Sequence, residues 1–369
     1  MKVFEIQRSC LSEIDFFKRQ KLPTMVGFRD PDEKQTSDSR KIKKEQFSSQ
    51  TDYYKIFNQI RNFDFLTTVL AIFGLVLAVI DYECQIQNHL TNIDMKVHPD
   101  VSKHPRVSNS LTQLVRLTIT FTTIGAMGCL IMRHYHKQKW ITKYFLENSE
   151  DPTQITFLHY EDDKHFLAHK EDFGHRAPLL TKELLFELFL LALQPLPMYD
   201  SYITFQCKKI TVVYLLSEVL LVLMSVRIYF LIRCVLNYCE FMDAFSKKIC
   251  RGYGFETGVK FTIKSMLIVN PESTVMYIFF ATVFIFAYLI RIFEMPYFRA
   301  SSPGDPVFDN FFNAIWFTVI TLTTIGYGDI SPGTQPGMLL TILLAFWGSI
   351  LLSLLVVTVS SIFTLDQEQ

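Results

Sequence analysis

The 369-residue chain predicts an all-α membrane protein, with six transmembrane helices plus one re-entrant helix and loop. Three observations predict it. Mean hydropathy is +0.21 and 49% of residues are hydrophobic, with several apolar runs near the length a bilayer requires. Phe311 to Pro332 opens with an apolar segment too short to cross a hydrocarbon core of roughly 30 Å, so it must enter and turn back. Lys and Arg gather in alternate linkers, as they do on the cytosolic side of multi-span proteins.

The first span is placed at about Phe63 to Ile80, with Asp64 near its inner end, and the second at Leu114 to Met132. Thr181 to Gln194 is a weak third: it carries Glu183 and Glu187, and Pro195 and Pro197 follow. The fourth is Ile210 to Leu236, the fifth Val275 to Ile290 and the sixth Met338 to Phe363. Basic residues before Phe63, between Arg133 and Lys182, and between Asn237 and Lys264 put both termini in the cytosol and the loop after Phe311 outside. The expected division is 1–62 as a cytosolic amino-terminal segment, 63–264 as a four-span bundle with its linkers, and 265–369 as a pore domain. Gly27 to Gln50 is polar and reads as disordered.

The loop Thr324-Ile325-Gly326-Tyr327-Gly328-Asp329 carries the chemistry. A dehydrated potassium ion needs its water oxygens replaced, which a short backbone run does when successive carbonyls face one axis. Gly326 and Gly328 accept the positive φ that such a ladder demands, and Thr324 can add a hydroxyl oxygen. Ile325 and Tyr327 then face away from the ion. One chain supplies one wall, so a homotetramer around an axis in the lipid bilayer is implied. On the sixth span Gly348 is the expected flexible point, and Val356 or Val359 the apolar constriction of a gate.

Other classes receive little support. Lys plus Arg equals Asp plus Glu at 36 each, which gives no reason to invoke nucleic acid. There is no nucleophile constellation or phosphate loop, so no enzyme and no covalently bound cofactor is expected. Seven cysteines show no metal spacing; Cys84 and Cys207 fall near the same predicted face, which leaves one disulfide conceivable beside the commoner buried thiols. Arg227 and Arg233 are six residues apart on different helix faces, too few charges for steep voltage gating. Glu218, inside the predicted fourth span, is an expensive group there and a candidate packing or functional residue.

T-I-G-Y-G-D resembles the signature filter of potassium channels, and Trp316 with Asp329 matches the pair that braces it. More of the chain is similar to small-conductance calcium-activated potassium channels. Ile72-Phe73-Gly74-Leu75-Val76 resembles that family's first span, Ile131-Met132-Arg133-His134 the end of its second, and Gln194-Pro195-Leu196-Pro197 its proline break. Arg227 to Ile232 resembles the end of its fourth span, Phe261 to Val275 the linker into its fifth, and Arg291-x-x-Glu294 the end of the fifth, with Glu294 among the filter supports. The resemblance implies a tetrameric potassium channel in a plasma or ciliary-type membrane, with calcium acting through calmodulin. Lys247, Lys248 and Arg251 are the candidate calmodulin contacts on the linker, whereas the family's calmodulin-binding helices have no counterpart between Phe363 and Gln369. The alternative class is a non-conducting structural or regulatory subunit of a larger channel or membrane assembly.

Overall fold

The computed structural model describes residues 37–92, 110–147, 181–197, 201–207, 210–242, 246, 258–301 and 307–365. Lys247, Lys248 and Arg251 lie outside them. The described chain is mostly helical, and five of its helices are long and apolar enough to cross a membrane: 55–86, 110–139, 216–238, 271–301 and 335–360. They belong to α1 (Ser37–Asn92), α2 (Ser110–Glu147), the joined pair α4 (Leu216–Met224) and α5 (Ile228–Tyr238), α7 (Pro271–Ser301) and α9 (Gln335–Leu365). The shorter helices are α3 (Lys182–Ala192), α6 (Val259–Val269) and α8 (Phe311–Leu322). Strands β1 (Tyr202–Cys207) and β2 (Ile210–Leu215) pair antiparallel, Tyr202 opposite Leu215.

Several elements depart from the sequence expectation. Residues 37–50, expected to be disordered, continue α1; Arg40, Lys41, Lys43, Lys44, Glu45 and Gln46 are good helix formers with no Pro or Gly among them. The fourth span begins at Leu216 rather than Ile210, because Ile210–Leu215 is rich in β-branched and aromatic residues and pairs with β1. An apolar run does not by itself distinguish a strand from the first turns of a span. Glu218 consequently sits in the first turn of α4, where Oε2 accepts the Leu215 N–H at 3.0 Å. The third segment has 11 helical residues, about 16 Å, short of a full span. Pro195 and Pro197 stop it, and the Leu193 carbonyl, whose helical donor would be the absent N–H of Pro197, instead lies 3.4 Å from Arg227 Nη2. Cys84 and Cys207 are free thiols.

The chain divides into two compact units. The first draws on Met1–Ile72, Ile124–Leu191 and Ile228–Ser265. Its core is Ala71, Ala126, Leu130, Leu184, Leu191 and Phe230. Beside that core lies an ion network. Arg233 reaches Asp64 at 2.6 Å and Glu187 at 2.7 Å, Arg133 reaches Asp64 at 3.0 Å, and Asn237 donates to Asp64 at 2.7 Å. Two carboxylates against two guanidiniums give a balanced group, which is the condition for keeping such charges away from water. Arg233 is therefore held by acids of α1 and α3.

The second unit comprises Phe73–Thr123, Ala192–Arg227 and Met266–Gln369. Its core runs from Ala78, Tyr82 and Ile119 through Ile290, Phe308, Phe317 and Leu322 to Leu344 and Leu351. The hairpin joins this unit through Tyr214, whose hydroxyl donates to the Phe293 carbonyl of α7 at 2.8 Å. Burial pushes the Tyr214 phenol well above its ordinary pKa, so it remains a donor. Arg227 is wholly buried here and donates to Thr123 Oγ1 at 3.1 Å.

Candidate ion-conduction site

Helix α8 has 12 residues, a rise of about 18 Å. Asn310 caps its start by accepting the Phe312 N–H at 3.0 Å, and Asn313 Nδ2 ties back to the Val307 carbonyl at 2.8 Å. At the far end the ladder breaks down in an orderly way. The Ile320 carbonyl accepts from both Ile325 N at 3.0 Å and Gly326 N at 3.1 Å, which curls the chain off the helix.

From there, handedness alternates. Thr324, Gly326 and Gly328 have φ of 61°, 58° and 77°, while Ile325 and Tyr327 between them do not enter the positive-φ region. Such alternation is the backbone pattern that a ladder of carbonyls facing one side requires. A Cβ built on Gly326 or Gly328 meets nothing within 4 Å, so it is backbone conformation and not crowding that requires glycine there. Thr324 adopts the left-handed region without being glycine, a strain of order 1–3 kcal/mol that the surrounding fold must hold.

The residues behind the loop meet as follows. Trp316 Nε1 donates to Asp329 Oδ2 at 2.9 Å, and its indole stacks on Tyr327 with centroids 5.8 Å apart and planes 8° from parallel. The indole N–H holds the Asp329 carboxyl below the usual carboxylate range. Ile325 and Tyr327 are exposed in the single chain, Tyr327 keeping one face against the Trp316 indole.

Glu294 is fully buried and closes the turn that follows. Oε2 accepts Gly333 N at 2.8 Å, while Oε1 accepts Thr334 N at 3.1 Å and Thr334 Oγ1 at 2.7 Å. Thr334 in turn caps α9, accepting Gly337 N at 3.0 Å. Both glycines are forced by proximity: a Cβ on Gly337 would lie 1.8 Å from Glu294 Oε1, and one on Gly333 2.0 Å from the Tyr297 ring. Gly348 sits against the end of α8, where a Cβ would be 2.6 Å from the Leu322 carbonyl oxygen. Val356 and Val359 are exposed along α9.

Sequence reasoning missed Thr334 and Tyr214, and named Arg291 only within the Arg291-x-x-Glu294 resemblance, without a partner. Thr334 was findable, since a threonine two residues before Pro336 at the head of an apolar run is a helix-start signal. The other two act across long sequence separations, for which one sequence holds no local sign.

A short apolar helix, a loop of alternating positive φ and two flanking long apolar helices make up a helical architecture with five helices of membrane-span length. Residues 273–365 match the ion-channel family model. The chain is similar to the small conductance calcium-activated potassium channel protein of Drosophila melanogaster, 29% identical over 182 residues, 47% of this chain and 19% of that one. A Caenorhabditis elegans small conductance calcium-activated potassium channel-like protein is 28% identical over 141 residues, 37% of this chain and 19% of the relative. A voltage-gated potassium channel of Aeropyrum pernix is 38% identical over 82 residues, 22% of this chain and 26% of that one. The chain spans about a fifth to a quarter of these relatives' lengths.

Proposed function

We propose that the protein is a potassium channel, in which four copies place their Thr324–Gly328 loops around one axis and pass potassium down its gradient. The observation that carries this is the alternation of positive φ at Thr324, Gly326 and Gly328 at the end of a re-entrant helix. The loop is then the filter, with Trp316, Asp329 and Glu294 as its supports and 265–369 as the pore domain. Both termini are cytosolic, in a plasma or ciliary-type membrane, and α9 lines the path with its constriction at Val356 or Val359. Voltage dependence is weak, because Arg233 is held in a balanced ion network. Calcium gating through calmodulin is carried only in part, by way of the linker with Lys247, Lys248 and Arg251. Relatives whose names include calcium activation support that part of the reading.

The test is the purified full chain in liposomes. The reversal potential should follow the potassium gradient and ignore sodium, and the conductance should change little with voltage under symmetrical potassium. Gly326→Ala should abolish the current, since its Cβ opposes a φ of 58°. A reversal potential indifferent to potassium in the parent would remove the proposal, and a non-conducting subunit would be the reading left.

Asp329→Asn should shorten the conducting state several-fold, because a charge-assisted bond to Trp316 becomes a neutral one of roughly half the strength. The measurement is the rate of current decline under sustained driving force, and an unaltered decline speaks against the brace. The lowered pKa of Asp329 fixes the sign of its pH dependence: the bond is fully present above the ordinary carboxylate range and is lost only as pH falls through the lowered value. Bathing at pH 6 should leave it intact.

A further inference from the structure

We propose that Arg291 is a positioning residue for conduction which, together with Glu83, fixes where the pore helix begins and so ties filter geometry to the Ile86 end of the first span. This rests on the potassium-channel reading above. Arg291, on α7, is buried to 7% relative exposure, and its guanidinium is divided between two tasks. On one side it grips both oxygens of Glu83 on α1: Nη1 bonds Oε1, and Nη2 lies 3.3 Å from Oε2. On the other, Nε donates to the Phe308 carbonyl at 3.2 Å and Nη2 to the Asp309 carbonyl at 3.4 Å.

Phe308 and Asp309 belong to the short 3-10 turn Val307–Asp309 that leads into α8. Their carbonyls precede the helix's own ladder, so side chains must hold the turn. A second arm supports the same point, Arg299 Nε meeting Asp309 Oδ1 at 2.7 Å. The Arg291 guanidinium also lies 5.9 Å from the ring of Phe311, the first residue of α8. A planar fork with five donors can serve a carboxylate and two carbonyls at once; a lysine ammonium on a flexible stem cannot. Helix α8 is short and closely packed, so a shift of its first turn is delivered at its other end, where Leu322 leads into Thr324. Sequence chemistry, local turn and filter position are linked through one side chain.

The experiment uses the full chain in liposomes and reads the potassium-to-sodium permeability ratio, with tetramer yield on size exclusion as the measure of folding. Arg291→Lys keeps the charge and removes the fork; Glu83→Gln keeps the shape and removes the counter-charge. Each should lower the ratio about fivefold or more at parental tetramer yield, and the double variant should be no worse than the more damaging single one, since both break the same connection. Should Arg291→Lys fail to assemble, Glu83→Gln, at a half-exposed position, decides alone. Parental ratios in the variants, or effects that multiply in the double variant, would overturn the inference. A parent without potassium selectivity is a different outcome, overturning the channel reading and with it the role assigned to Arg291.

Discussion

Replacing Glu294 by alanine is expected to abolish selective conduction and to lower the melting temperature of the purified channel by several degrees or more. The carboxylate is fully buried and accepts from Gly333 N, Thr334 N and Thr334 Oγ1. Leaving a buried donor unsatisfied costs about 1–3 kcal/mol, so losing these partners together removes a large part of the 5–15 kcal/mol that holds a typical domain. The damage falls on the turn between the Thr324–Gly328 loop and α9, which would be free to move. Glutamine does not rescue the site: one of its ends must present an NH₂ to a backbone N–H already directed at it. Thermal unfolding in detergent and reversal potentials in liposomes check both halves. A Glu294→Ala protein with parental selectivity would show that the turn holds itself.

Gly348→Ala separates two accounts of the sixth span. If the glycine were there to loosen the helix, alanine would stabilise it by about 1 kcal/mol and the fold would tolerate the change. The geometry gives the opposite sign. The added Cβ would stand 2.6 Å from the Leu322 carbonyl oxygen and 2.9 Å from its Cα, and a backbone cannot swing aside as a side chain can. Overpacking of this kind costs about 1–3 kcal/mol, and it pushes α9 away from the residue that leads into the filter. We therefore expect a less stable protein with little or no potassium current, read by unfolding midpoint and flux. A more stable, conducting Gly348→Ala would restore the flexible-point reading.

How far the sequence could be read depended on whether a feature was local. The positive φ of Gly326 and Gly328 was legible because that backbone demand is written in residue type, glycine at alternate positions. The short helix α8 was legible as one because its apolar run ends in the glycine-spaced loop before reaching span length. By contrast, Ile210–Leu215 is as apolar as a span, and only its pairing with Tyr202–Cys207, across a turn, makes it a strand. Glu218 looked like a costly intruder until the helix start moved to Leu216 and gave it the Leu215 N–H to receive. Asp64, Arg133, Glu187 and Arg233 were each visible as charges near span ends, yet their meeting depends on how the helices pack, which no periodicity encodes. For Gly337 the sequence offered glycine without a reason, and for Gly348 it suggested flexibility where the structure gives close packing. One is cleared for a carboxylate and the other for a carbonyl.

The length of α1 has a mechanical meaning. It is one unbroken helix of 56 residues, and its span-like part starts only at Lys55, so the stretch back to Ser37 projects about 27 Å beyond that point. A helical rod of this length is a handle: tilting it by about ten degrees carries its tip some 5 Å sideways, given the same rise per residue. Whatever takes hold of the Ser37 end gains leverage over Asp64, which sits little more than two turns past Lys55 and is bonded there to Arg133 and Arg233. A weak grip at the far tip could thus move a well-anchored joint, with the torque supplied by distance and not by binding strength.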